Sequence, residues 1–196
     1  MSLLNRREAL RVLLQDRGDL LVIAGLGAPA YDLAACGNES LDFPLWGAMG
    51  GAAMMGLGLA LAQPQRTVLI VTGDGEMLMG LGSLATIAAQ RPPNLRIVVL
   101  DNERFGETGQ QLTHTAMGAD LAAVARGCGF HYACTIREEG ELVTLRADIH
   151  TLQDVLFAAV KVSPEDLPRV LPPRDGSYLT HRMRAALVGA EGASEP

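Results

Sequence analysis

Basic charge is the first thing in short supply. The chain has 16 Lys and Arg against 22 Asp and Glu in 196 residues, a formal net charge of −6 and a pI near 5.2. A nucleic-acid-binding domain would carry a basic surface and a membrane-surface helix a basic face, so both classes are excluded as readings. Cysteine is sparse: Cys36, Cys128 and Cys134 fall at no metal-ligand spacing. That set supports neither a disulfide framework nor a four-thiolate iron–sulfur cluster, and it points to a reducing cytoplasm. Long apolar runs are missing too. The glycine-rich apolar stretch at residues 47–62 reads as a buried helix and is shorter than the roughly 20 residues a membrane span needs. The first eleven residues carry charge and lack the apolar segment of a secretory leader. A cytoplasmic protein without nucleic-acid or membrane partners is therefore expected. Aromatics, at 4%, are too few for a typical β-sandwich core.

What remains is a chain able to bury a core. Hydrophobic residues reach 48% and charged residues only 19%, which excludes global disorder. The length suits one domain, expected over residues 1–187, with a frayed tail at 188–196. Short apolar runs at 20–24, 67–72, 95–100, 130–135 and 155–162 read as buried strands. Between them lie helical stretches at 31–36, within 47–62, and at 77–90, 120–127 and 138–149; a capped helix at 5–15 precedes them and one at 178–187 follows. No internal repeat is present. Strands alternating with helices predict an α/β fold, three layers (αβα) around a mainly parallel sheet. Residues 101–118 form a polar loop of a length that is often functional.

Ligands in such sheets bind beyond the carboxyl ends of the strands. Gly73-Asp-Gly75 follows one predicted strand and Asp101-Asn102 the next. Glycines flanking Asp74 let the backbone approach an anion, and a following helix adds free N–H groups. The Asp74 carboxylate and the Asn102 amide oxygen are hard donors, suited to Mg²⁺ that completes its shell with phosphate oxygens and water. The two sites, one strand–helix–strand excursion apart, therefore read as a Mg²⁺-bridged diphosphate site.

This pattern resembles the cofactor fingerprint of thiamine diphosphate (ThDP) enzymes, which pair Gly-Asp-Gly with a later Asn-Asn; Asp101 departs from it and Asn102 keeps it. The resemblance implies the ThDP-binding fold of their diphosphate domain. It implies that Asp74, Asn102 and the Arg104 carbonyl bind Mg²⁺, and that Gly73, Gly75 and Glu76 hold the diphosphate, Gly75 and Glu76 through backbone N–H groups. Glu76 stands where a small residue is usual, so its charge must point away. Gly47-Ala-Met-Gly50 is similar to the aminopyrimidine loop, with the Gly47 carbonyl on the amino group and Met49 as the apolar wedge. Residues 100–113 and Leu171-Pro-Pro-Arg-Asp-Gly176 are similar to sulfopyruvate and phosphonopyruvate decarboxylases, although Leu112 stands where Pro is frequent. The activating glutamate of such enzymes lies on a pyrimidine domain, which the resemblance implies comes from a partner α subunit in a hetero-oligomer acting on a small 2-keto acid. Other ThDP carboligases or lyases, and a binding module without catalysis, are the alternatives.

Further candidates are weaker. Arg104, Thr108 and Gln110 (with its neighbour Gln111) follow the metal loop and could meet a substrate oxyanion. His114 is the one acid–base candidate. Met54 and Met55 read as helix packing, Cys128 and Cys134 as core thiols, Glu138, Glu139 and Glu141 as a solvated helix start, and Arg174 and Asp175 as pairing with each other or with the partner chain.

Overall fold

In this computed structural model, which describes residues 3–193, the predicted apolar runs become one parallel sheet. The strands are β1 (Leu21–Ala24), β2 (Asp42–Pro44), β3 (Val68–Gly73), β4 (Leu95–Asp101), a separate hairpin of β5 (Arg104–Phe105) and β6 (Gln111–Leu112), then β7 (Tyr132–Ile136) and β8 (Leu156–Lys161). Their order in the six-stranded sheet is β2-β1-β3-β4-β8-β7, every pairing parallel. The helices are α1 (Arg6–Leu13), α2 (Ala28–Cys36), α3 (Ala52–Ala62), α4 (Asp74–Met79), α5 (Ser83–Gln90), α6 (Leu121–Cys128), α7 (Glu139–Thr151) and α8 (Gly176–Ala193).

The pleat sorts the side chains into two layers. Leu21, Ile23, Val68, Ile70, Ile97 and Phe157 pack on α3, α5 and α6, while Val22, Leu69, Val71, Val98 and Val160 pack on α1, α2 and α7. This is why the central strands read as unbroken apolar runs: both faces are covered. Arg96 is the exception, fully buried in β4. Its guanidinium donates to the carbonyls of Ile149, Leu152 and Asp154, closing the carboxyl end of α7.

Six expectations need correction. The helix expected at 77–90 is two, α4 and α5. The turn between them brings Gly80 so close to Gly50 that a Cβ on Gly80 would lie 2.2 Å from the Gly50 oxygen. The loop at 101–118 is not structureless: it holds the β5–β6 hairpin and a 3₁₀ turn, His114–Met117. Met54 and Met55 are exposed, because α3 turns Ala52, Ala53, Gly56, Leu57 and Ala60 to the sheet instead. Cys134 is exposed, since β7 is the edge strand and alternates outward. Arg174 and Asp175 do not pair with each other: Arg174 lies over the Trp46 ring, 4.7 Å from its centroid, and Asp175 accepts from the Ser177 and Tyr178 N–H groups at the start of α8. That helix continues past 187 to Ala193, with Gly189 non-helical at φ 81°; residues 194–196 of the expected tail lie outside the described residues.

Asn5 caps α1 as expected, accepting from the Arg7 and Glu8 N–H groups. Glu138 and Glu141 form a capping box on α7. β2 escaped the sequence reading because it is three residues long, begins with Asp42 and ends on Pro44. Among the described residues, no helix is long and apolar enough to cross a membrane.

Candidate cofactor and metal site

The chain leaves β1 for β2 on one side and returns to β3 on the other, so the sheet's order reverses at β1. Such a reversal opens a crevice at the carboxyl edge. A cavity of about 90 Å³ lies there, lined by residues after β1 (Leu26, Ala28), after β3 (Gly73, Asp74, Gly75, Glu76) and after β4 (Asn102, Arg104, Phe105, Thr108), with Met49 and Arg6.

Asp74 opens α4 and is 1% exposed. Its Oδ2 accepts from the Thr113 hydroxyl at 2.5 Å and the Thr115 hydroxyl at 3.2 Å. Both side-chain bonds fall on one oxygen, which leaves Oδ1 for a cation. Burial pushes the carboxyl up to about 6, the nearby Asp101 adds to the rise, and the two hydroxyls oppose it. A buried carboxylate that ionises at this cost suits a site completed by positive charge. Asn102 lines the same cavity, and its Oδ1 accepts from the Arg104 N–H at 3.0 Å, which fixes the amide. Glu103 between them takes φ 62°, a left-handed turn rare for a residue with a side chain. Among the described residues no three His, Cys, Asp or Glu side chains converge on a metal position. A metal here would rest on one carboxylate, one amide oxygen and main-chain carbonyls, a hard set that fits Mg²⁺.

Gly75 is required by contact: a Cβ there would meet the Phe105 ring at 2.7 Å, and Met49 Cε at 3.8 Å. The loop 47–51 thus reaches the 73–76 segment through Met49. The Glu76 side chain is buried and turned onto other loops. Its Oε1 accepts from the Gly50 and Ala52 N–H groups at 3.3 and 3.4 Å, and its Oε2 from the Thr72 hydroxyl at 2.8 Å. Burial raises its pKa, and these donors counter the rise.

Of the sequence candidates, Met49, Gly73, Asp74, Gly75, Glu76, Asn102, Arg104 and Thr108 meet in this one cavity. Gly47 is exposed beside it, and Gln110 and His114 stand outside its lining. Three residues that shape the site escaped notice. Thr113 and Thr115 orient Asp74, and Lys161 pairs with Asp101 at 2.7 Å. A hydroxyl in a polar loop and a lysine ending an apolar strand carry no sequence signal of their own; only the register of β4 on β8 brings Lys161 to Asp101.

A buried carboxylate and an amide oxygen beside a glycine-flanked helix start, at the reversal point of a parallel sheet, make a crevice of the kind that suits a diphosphate cofactor. Residues 27–154 match the family described as thiamine pyrophosphate enzyme, C-terminal TPP binding domain, and the chain belongs to that family. Among curated relatives, it is 44% identical over 188 residues to sulfopyruvate decarboxylase subunit beta of Methanothermobacter thermautotrophicus, covering 96% of this chain and 98% of that one. It is 30% identical over 182 residues to sulfopyruvate decarboxylase of Methanosarcina acetivorans, covering 93% of this chain but only 47% of that protein, about half its length. It is 43% identical over 127 residues to phosphonopyruvate decarboxylase of Streptomyces viridochromogenes, 64% of this chain and 32% of that one. Benzoylformate decarboxylase from Polynucleobacter necessarius superposes with a TM-score of 0.68 over 84% of this chain and 34% of its own, at 18% identity, a likeness of fold.

Proposed function

We propose that this chain is the ThDP- and Mg²⁺-binding subunit of a two-subunit 2-keto-acid decarboxylase acting on sulfopyruvate to give sulfoacetaldehyde and CO₂. The observation that carries the reading is the end-to-end match to a decarboxylase β subunit in a chain whose Asp74 and Asn102 line one cavity. When bound, ThDP supplies the carbanion and the electron sink for decarboxylation. The protein's part is to hold and orient. Asp74, Asn102 and the Arg104 carbonyl would hold Mg²⁺; the Gly75 and Glu76 N–H groups would hold the diphosphate; Met49 would pack against the cofactor, and the Gly47 carbonyl would accept from its aminopyrimidine. Arg104 and Thr108 line the cavity wall, and an arginine fork there would meet the terminal oxyanion of the substrate. His114, outside the lining, receives no role.

The activating glutamate is assigned to a partner α subunit with a pyrimidine domain. The size of the cavity supports this: about 90 Å³ is well below the roughly 300 Å³ at which cofactor-sized pockets begin, as expected of a site that a second surface completes. Met49, Met54, Met55 and Met79 are exposed on the segments around it, and thioethers adapt well to a partner surface. Three free thiols among the described residues suit a cytoplasmic setting.

A second reading rests on the phosphonopyruvate decarboxylase match: the same site would take a phosphonate in place of the sulfonate. Calorimetric titration of ThDP with Mg²⁺, with and without the co-expressed partner, followed by CO₂ assays on both keto acids, tests the proposal. ThDP binding and faster turnover of sulfopyruvate are expected. Turnover of phosphonopyruvate alone selects the second reading, and no ThDP binding under either condition overturns both.

A further inference from the structure

Glu76 carries a job its neighbours do not. Its carboxylate reaches three segments around the crevice. The Gly50 and Ala52 N–H groups, from the start of α3, fall on Oε1, and the Thr72 hydroxyl, from the end of β3, falls on Oε2. The Leu26 N–H, after β1, also acts on the carboxyl. All these donors are neutral, and the side chain is 3% exposed. Gly25 leaves room for it: a Cβ there would lie 1.6 Å from Glu76 Oε2. On its other side the same 47–51 loop is seated on the α4–α5 break, where Gly50 and Gly80 pack backbone to backbone. The loop therefore has two anchors, the shape of Gly80 and the reach of Glu76. Ala48 at φ 56° and Gly50 at φ 94° show that its path is not one a free chain would choose.

We propose that Glu76 is a positioning residue whose carboxylate ties the 47–51 loop to the diphosphate loop and so sets Met49 over Gly75. The proposal rests on the ThDP reading and deepens it: the cofactor's two ends would be gripped by two loops held at a fixed separation by one side chain. Reach is the property that matters, and net charge is not. Glu76→Gln keeps the length and an acceptor oxygen for the loop, while the Thr72 hydroxyl can turn to accept from the new amide. Glu76→Asp keeps the charge and is one methylene short.

The experiment measures native-state amide exchange on the full chain and ThDP affinity with Mg²⁺ on the chain co-purified with its partner. In Glu76→Asp, exchange at Gly50 and Ala52 is expected to quicken by about tenfold or more, with β3 and β4 unchanged and ThDP bound about tenfold more weakly. In Glu76→Gln, loop protection is expected to be restored and affinity to lie above that of the Asp variant. The reverse order would show a charge role and overturn the proposal. So would equal protection of the loop in wild type and both variants. Failure of the wild type to bind ThDP would instead sink the cofactor reading, leaving the exchange data to judge the tie between the loops on its own.

Discussion

Lys161 Nζ stands 2.7 Å from Asp101 Oδ2, at the point where β8 and β4 end side by side in register. The same ammonium lies 2.7 Å from Glu103 Oε1. Asp101 is 3% exposed and Lys161 12%, so the pair is nearly dry. Burial alone would lower the lysine's pKa, yet its bonds to Asp101 and Glu103 outweigh that and hold it above the ordinary value. A raised lysine contributes stability below its unfolded pKa and loses it only as pH rises through the folded one, so the pair persists across the neutral range. It also accounts for an aspartate next to Asn102: Asp101 Oδ1 accepts from the Glu103 N–H and the Thr115 hydroxyl, and Lys161 balances its charge. Lys161→Met should destabilise the chain by about 3–5 kcal/mol, the usual effect of stranding a buried partner. Adding Asp101→Asn should recover most of it. Urea unfolding of the two singles and the double measures the coupling; simple additivity would mean the pair does nothing.

Asp74 is poised the opposite way. Its folded pKa of about 6 is raised above the ordinary carboxylate value of 3.8. A raised carboxyl binds its proton more tightly when folded, so stability of the metal-free chain falls as pH climbs from about 4 to about 6 and stays low above that. The difference is on the order of 3 kcal/mol at neutral pH. Asp74→Asn removes the buried charge and leaves Thr113 and Thr115 with a partner. In EDTA, this variant should unfold at higher temperature than wild type above pH 6, with the gap closing toward pH 4.5. It should show no Mg²⁺-dependent ThDP binding. Thermal scans across that pH range check the sign, and a gap that ignores pH would refute the electrostatic account.

How much of this was legible beforehand follows from where the information sits. The central strands announced themselves because both faces of β1, β3 and β4 are covered, leaving runs such as Val68–Val71 without a polar interruption. Asp74 and Asn102 were legible because a parallel sheet places every strand's carboxyl end on one edge. The break at Gly80 was not, since helix period continues through it and its cause is a distant residue, Gly50. Nor were Thr113, Thr115 and Lys161, which matter through register and hairpin geometry rather than through residue type. Glu76 was legible only as an oddity; its direction became clear once Thr72, Gly50 and Ala52 stood around it.

Helix α3 supplies a last contrast between two glycines of one sequence run. Gly56 is buried against β3, and a Cβ there would lie 2.4 Å from Ile70 Cγ1 and Cδ1. Gly58, two positions on, is exposed with nothing within 4 Å of its Cβ position. Both would gain about 1 kcal/mol of helix propensity on becoming alanine. At Gly56 the clash falls on a side chain that is itself completely buried, and overpacking typically costs about 1–3 kcal/mol. Gly56→Ala should therefore be neutral to clearly destabilising, and Gly58→Ala should stabilise by about 0.5–1 kcal/mol. Denaturant midpoints of the two variants decide the matter. Equal stabilisation by both would mean that α3 sits further from β3 than the Gly56–Ile70 approach requires.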